Sequence, residues 1–472
     1  MCLFFEKMNN KSIFSVNFAY NRFIMLIQFS VKNYKCFKEE ALLSMVASNY
    51  DRTTRWEDNI VEVPKFNLNL LRSVVIYGAN ASGKSKLIEA MGFMCHLILS
   101  SSKDIQAGET IHKEPFSFRL STETEREPSA FEINFIIDNE LYRYGFEVNQ
   151  REIVAEWLYH RPATKEVELF YRDYQVFEVH PKLKQVKFLV DNEMVRDNAL
   201  LLSVASQFND KIAVKVLNWI RSDFNVLSGL KDIKYMRQTV NMLDDSDFKA
   251  EILQFIKGAD FNIQDLRPVR LDVENLSFEF GEEIVAYMTK KIKEEQDGSS
   301  SDVSVLHKKY DANHAPVGVE KFSMDRDESS GTRKYFAFAA PLILTLKNGE
   351  TAVIDELDAK LHPNLVCKIV AAFNSNKTNP NNAQLIFNTH DTNLLTSGLF
   401  RRDQIWFTEK NRYGASTLYS LKDFKTENGD KARIGEDYAV NYMRGKYGAI
   451  PYLGDFDALF LNPKEAVYEL ER

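Results

Sequence analysis

The sequence predicts a mixed α/β fold, and three observations carry the prediction. The apolar run at 73–77 (SVVIY) passes through a glycine-rich turn into a helix-period segment at 84–99, a strand–turn–helix unit. After a long intervening stretch the alternation resumes, with a helix at 332–346, a strand at 351–354, a helix at 364–374 and a strand at 384–387. Between the two, the period-two stretches AFEINFII, LYRYGFEV and IVAEWLYHR, broken at Asp138-Asn139 and Asn149-Gln150, read as antiparallel strands.

From the N-terminus, residues 1–24 mix Phe with polar residues and lack the ordered regions of a signal peptide. The strand-like pattern begins at Met25 (MLIQFSVKNYKCF), so Met25 is a candidate native start and 1–24 a candidate extension. LIQFSVKNY and ALLSMV form an expected hairpin. Residues 25–160 then make the N-terminal part of a core with an inserted antiparallel β-subdomain. Residues 161–320 read as a mostly helical insertion, on ALLSVASQF, AVKVLNWIRSDF and FKAEILQFIKGA, with a strand or two near 270–280 and a polar loop at 294–302. Residues 321–422 return to the core, and 423–472 form a tail. Neither an internal repeat nor a heptad array is present, which argues against a long coiled-coil arm.

Composition bounds the function. At 472 residues, with 44% hydrophobic and 27% charged residues, the chain has the make-up of a globular protein of two or three structural units. A net charge of −7 provides no overall positive field to gather nucleic acid or an anionic membrane. Short basic clusters at 182–187, 290–293 and Arg401-Arg402 read as solvated faces. Cys2, Cys36, Cys95 and Cys367 are scattered without metal-ligand spacing, as expected of reduced structural thiols. The longest apolar run, about 91–99, falls well short of the roughly 20 residues needed to cross a bilayer, so a cytoplasmic location with no membrane partner is expected.

Two motifs carry chemistry. Gly78-Ala79-Asn80-Ala81-Ser82-Gly83-Lys84-Ser85 satisfies G-x-x-x-x-G-K-[ST], the P-loop pattern. Its backbone N–H groups, with Lys86 following, can surround phosphate oxygens; Lys84 neutralises β/γ charge, and the Ser85 hydroxyl is a ligand for Mg²⁺. Ala352-Val353-Ile354-Asp355-Glu356 is an apolar strand ending in two carboxylates. Asp355 suits the Mg²⁺ shell, and Glu356 the activation of an attacking water. ATP and Mg²⁺ are the expected ligands, and an Mg²⁺-dependent ATPase the expected activity.

A resemblance follows. Leu357-Asp358-Ala359-Lys360-Leu361-His362-Pro363 resembles the D-loop of the ABC-type heads in RecF, SMC and overcoming-lysogeny-defect proteins. Leu385-Ile386-Phe387-Asn388-Thr389-His390 is similar to their switch-histidine strand, and Val31-Lys32-Asn33-Tyr34-Lys35-Cys36-Phe37 to their opening strand. Glu328-Ser329-Ser330-Gly331-Thr332 resembles the ABC signature in the Glu-Ser-x-Gly-Thr form of the prokaryotic RloA, AbiLi and AriA subgroup associated with phage defence. The segment from Tyr442 to Pro451 resembles that subgroup's C-terminus. The resemblance implies a P-loop NTPase with an ABC-type head. It gives His390 a role at the γ-phosphate or attacking water, and Ser329 and Gly331 a contact with nucleotide held by another copy.

It therefore implies a homodimer or higher oligomer glued by ATP, and a sensor or regulator acting with a separately encoded effector, a Toprim nuclease being one form. DNA repair or genome maintenance, with DNA as partner, is the alternative. The family's Q-loop glutamine has no clear counterpart, Gln106 being one candidate. Asp455 and Asp457 read as solvated acids, because too little chain follows His390 for a nuclease domain.

Overall fold

The computed structural model describes residues 22–230, 233–259, 262–269, 302–425, 429 and 431–451. Strands β1 (Ile24–Lys32) and β2 (Ala41–Ser44) form the expected hairpin, with Phe29 opposite Leu43. A small hairpin, β3 (Ile60–Val63) and β4 (Leu68–Leu71), precedes β5 (Ser73–Gly78), which runs through the glycine-rich turn into α1 (Lys84–Ser100). The strands β6 (Ser129–Ile137), β7 (Glu140–Val148), β8 (Ile153–Arg161), β9 (Val167–Asp173) and β10 (Val176–Val179) then meander antiparallel. β6 pairs with β1, giving a seven-stranded sheet in the order β10-β9-β8-β7-β6-β1-β2. Its first tight turn is Asp138-Asn139, both at positive φ (52° and 61°), the backbone that matches strand twist in a two-residue hairpin.

Helices α2 (Lys184–Asp191), α3 (Leu201–Gln207) and α4 (Lys211–Ser222) lead to β11 (Phe224–Ser228), followed by α5 (Ile233–Met242), α6 (Ser246–Lys257) and β12 (Ile263–Val269). Next come β13 (Asp302–Tyr310), β14 (Pro316–Ser323), α7 (Ser330–Asn348), β15 (Thr351–Asp355), α8 (Pro363–Phe373) and β16 (Gln384–Asn388). The described chain closes with α9 (Asn393–Thr396), β17 (Ile405–Lys410), β18 (Ser416–Ser420) and α10 (Tyr438–Met443). The second large sheet has the order β11-β15-β16-β5-β17-β18; every pair is parallel except β17–β18.

This second sheet is covered on both faces, which is why its strands are continuously apolar. On β5, Val74 and Ile76 join the core shared with α1 and the seven-stranded sheet, whereas Val75 and Tyr77 join the core under α7 and α8. Being sandwiched between the sheets, α1 is buried on nearly all sides, from Leu87 and Ile88 to Leu97 and Ile98.

The stretch 161–320 is not one helical unit. Strands β9 and β10 extend the seven-stranded sheet, β11 forms an edge of the parallel sheet beside β15 (Val226 opposite Val353), and β12-β13-β14 make a third sheet. The sequence conceals β11 because FNVLS follows α4 with only Asp223 between them, so neither glycine nor proline marks a break; its partner in the sheet, not its periodicity, makes it a strand. Residues 1–21, the segment 270–301 and Asp455-x-Asp457 lie outside the described residues.

Arg401 also departs from expectation. Instead of a solvated face it is 1% exposed, and its guanidinium donates to Asp403, Thr54 O and Asp51 O, tying the loop after β2 to β17. The tail packs on the parallel sheet: the Tyr442 ring lies 5.7 Å from that of Tyr77 and 5.3 Å from that of Phe407. No helix among the described residues is long and apolar enough to cross a membrane.

Candidate functional site

The strand order builds the site. β16 lies between the strand that ends in the phosphate loop (β5) and the strand that ends in Asp355 (β15). Parallel strands deliver their C-terminal ends to one rim. The rim therefore brings together the phosphate loop, His390 two residues beyond β16, and the two carboxylates.

A cavity of about 740 Å³ opens there, lined by Asn80, Ala81, Ser82, Gly83, Lys84, Ser85 and Lys86 together with Glu356 and His390. Its lining also includes Lys35, Cys36, Glu114, Pro115, the segment Ser117–Leu120, Lys410 and Gly414. Glycine is obligatory at Gly83: φ is +120°, and a Cβ would stand 3.0 Å from Cys36 Sγ and 3.1 Å from Ser416 Oγ. Ala81 also takes positive φ (61°). The Ser82 hydroxyl points to β17, 2.6 Å from Thr408 Oγ1, so Ser82 contributes its backbone to the loop.

Lys84 is 5% exposed, and its Nζ donates to Gly78 O (2.8 Å) and Ala79 O (3.0 Å). Burial pushes its pKa down to about 8, against the opposing pull of Glu356, Asp355 and Asp358. The His390 imidazole is held below its ordinary value, first by burial and then by the Lys84 charge, which keeps it neutral near pH 7. Its backbone N–H faces Asp358 Oδ2 at 3.4 Å. Lys86 lines the cavity while its Nζ pairs with Glu89 at 2.6 Å.

The sequence reading missed Asn388, the last residue of β16 and fully buried. Its Nδ2 donates to Asp355 Oδ1 (2.5 Å), and its Oδ1 accepts from the Glu356 backbone N–H (2.5 Å). One amide thus fixes both carboxylate residues, and Glu356 sits at φ 55°, a costly conformation for a non-glycine residue. The signal was visible as an amide ending an apolar strand. The cations Lys35, Arg119 and Lys410 were also missed, because they come from two loops and a strand end remote from one another in sequence, with no spacing to connect them.

Asp355 does not itself line the cavity, and no donor among the described residues takes its second oxygen. With the Ser85 hydroxyl it offers hard oxygen ligands suited to Mg²⁺, an ion that completes its shell with water and phosphate oxygens.

Ser329 and Gly331 are not on this cavity. Ser329 caps α7, its Oγ accepting from Thr332 N at 3.1 Å, and Gly331 packs against the backbone of Lys360. Gln106 is exposed, away from the cavity.

In comparisons with known proteins, the family described as "AAA domain, putative AbiEii toxin, Type IV TA system" matches residues 73–396. No curated protein matches. Among solved structures, the SMC head domain from Thermotoga maritima is 14% identical with a TM-score of 0.40, over 84% of this chain and 98% of that one. The SMC head with an extended coiled coil bound to the C-terminal domain of ScpA derived from Pyrococcus furiosus is 12% identical with a TM-score of 0.39, over 84% and 96%.

Proposed function

The chain belongs to this AAA-domain family of AbiEii, type IV toxin–antitoxin association, and we propose that it binds and hydrolyses ATP with Mg²⁺ at a site that a second copy completes. Its cellular role, in the same proposal, is regulatory: the ATPase of an anti-phage, abortive-infection-like system in the cytoplasm, acting with a separately encoded effector. The observation that carries the catalytic part is the single cavity lined by Lys84, Ser85, Glu356 and His390.

Each residue then has a task. The backbone amides of residues 80–86 and the Lys84 ammonium hold the phosphates. Ser85 and Asp355 hold Mg²⁺, which when bound neutralises phosphate charge. Glu356 accepts a proton from the water as that water's oxygen attacks the γ-phosphorus and the bond to the ADP oxygen breaks. Neutral His390 hydrogen-bonds the water or a γ-oxygen, and Asn388 keeps both carboxylates in place.

The second copy enters through Ser329 and Gly331. Their position at the start of α7, off their own cavity, suits the capping of a γ-phosphate bound elsewhere, since a helix N-terminus attracts anions. Purified protein is expected to release phosphate from ATP with Mg²⁺, at a rate per chain that rises with protein concentration. No turnover at any concentration would sink the hydrolytic reading.

A further inference from the structure

Lys334, one turn into α7, has 0% exposure. A lysine taken wholly out of water must satisfy every N–H of its ammonium, of which there are three. Its Nζ donates to Glu356 O (3.3 Å), Leu357 O (3.2 Å) and Ala359 O. All three carbonyls belong to the turn that follows β15, in which Glu356 O also accepts from the Ala359 N–H (3.2 Å), so a helix side chain ties to α7 a turn that is only partly satisfied from within.

Two further features bind the same pieces. A Cβ on Gly331 would lie 2.9 Å from Lys360 O, so the first turn of α7 rests directly on the backbone of this turn. Glu356 and Lys360 both occupy the left-handed region (φ 55° and 63°), a conformation that persists only when its surroundings impose it. Asn388 holds the Glu356 N–H from β16, and Lys334 holds the Glu356 C=O from α7.

We propose that Lys334 is a positioning residue that joins the Ser329–Gly331 turn and the Glu356–Lys360 turn into one rigid body. Docking of Ser329 and Gly331 on a second copy's nucleotide then sets Glu356 in this copy's own cavity, so that filling one site arms the other. The inference rests on the ATPase reading above.

The test compares full-length wild type with Lys334→Met, which keeps the volume and removes the donors, and Lys334→Gln, which keeps two N–H groups. Lys334→Met should lower kcat at least about tenfold while ATP affinity stays within about twofold, with Lys334→Gln between them and the ATP dependence less cooperative. Wild-type kcat in Lys334→Met, or parallel loss of kcat and affinity, would overturn the proposal. If Lys334→Met does not fold, Lys334→Gln alone decides by the same criteria.

Should wild type itself prove unable to hydrolyse ATP, the ATPase reading fails, and hydrogen exchange in nucleotide-free protein still judges Lys334. Faster exchange confined to 356–361 in the variant supports the clamp, and unchanged exchange there refutes it.

Discussion

In the proposed function, Lys84 serves binding against the interest of the empty fold. Its pKa, pushed to about 8 by burial, lies below its ordinary value, so at pH 7 the folded protein carries the cost of a charge that an unfolded chain would solvate freely. That cost falls progressively as pH rises from about 8, where the folded-state amine loses its proton, and is gone only above the ordinary lysine value of 10.5. ATP affinity should therefore be level below pH 8 and fall above it, because only the ammonium attracts phosphate; a fluorescent-nucleotide titration from pH 7 to 9.5 measures this, and an affinity unchanged across the range would contradict it. Lys84→Met should weaken ATP binding about 100-fold without lowering the nucleotide-free Tm.

Glu356→Gln should bind ATP normally but turn it over about 100-fold more slowly. His390, depressed below 6.5, should place an acid limb of kcat below that pH, and His390→Asn should remove the limb.

At the scale of elements, β16 is the organising strand, because its end must reach both neighbours. Asn388→Leu leaves the part-buried Glu356 N–H unpaired, which should cost about 1 kcal/mol of stability in denaturant unfolding. It should also raise the Mg²⁺ concentration needed for half-maximal turnover about tenfold; an unchanged Mg²⁺ requirement would remove Asn388 from the metal's support. β5 and β15 were legible because each buries a continuous apolar run ending in glycine or carboxylate, β16 because its apolar run ends in Asn388 shortly before His390, and α1 because it follows the glycine-rich turn with helical period. β11 was not, since five residues of half-buried strand against β15 carry no period that distinguishes them from the end of α4. Lys334 was legible only as a charge directly before the apolar helix run YFAFAAP, and its partners were invisible because they are backbone carbonyls.

For the whole molecule, the separation of Ser329 from its own cavity predicts complementation between copies. Ser329→Asp keeps a good helix cap, so Tm should hold, yet its charge would repel a γ-phosphate. Lys84→Met and Ser329→Asp should each fail to dimerise with ATP alone, and their mixture should regain ATP-dependent mixed dimers held by one sound site, with turnover well below that of wild type because the site that would arm it stays empty. No mixed dimer with ATP would argue for a site complete within one chain. In gel filtration, Glu356→Gln with ATP should elute as a larger species than nucleotide-free protein.

The sequence by itself determined the mixed α/β fold and which residues stand at the strand ends of the proposed site, because those positions are set by contiguous backbone: a glycine turn after one strand, two acids after another, a histidine after a third. Only the tertiary structure decided that the stretch 161–320 is shared among three sheets, that Arg401 is a buried tie, and that Asn388 and Lys334 hold Glu356 from opposite sides. Those outcomes depend on which remote segments share a sheet edge or a buried carbonyl, and burial is settled by packing partners that no local pattern records.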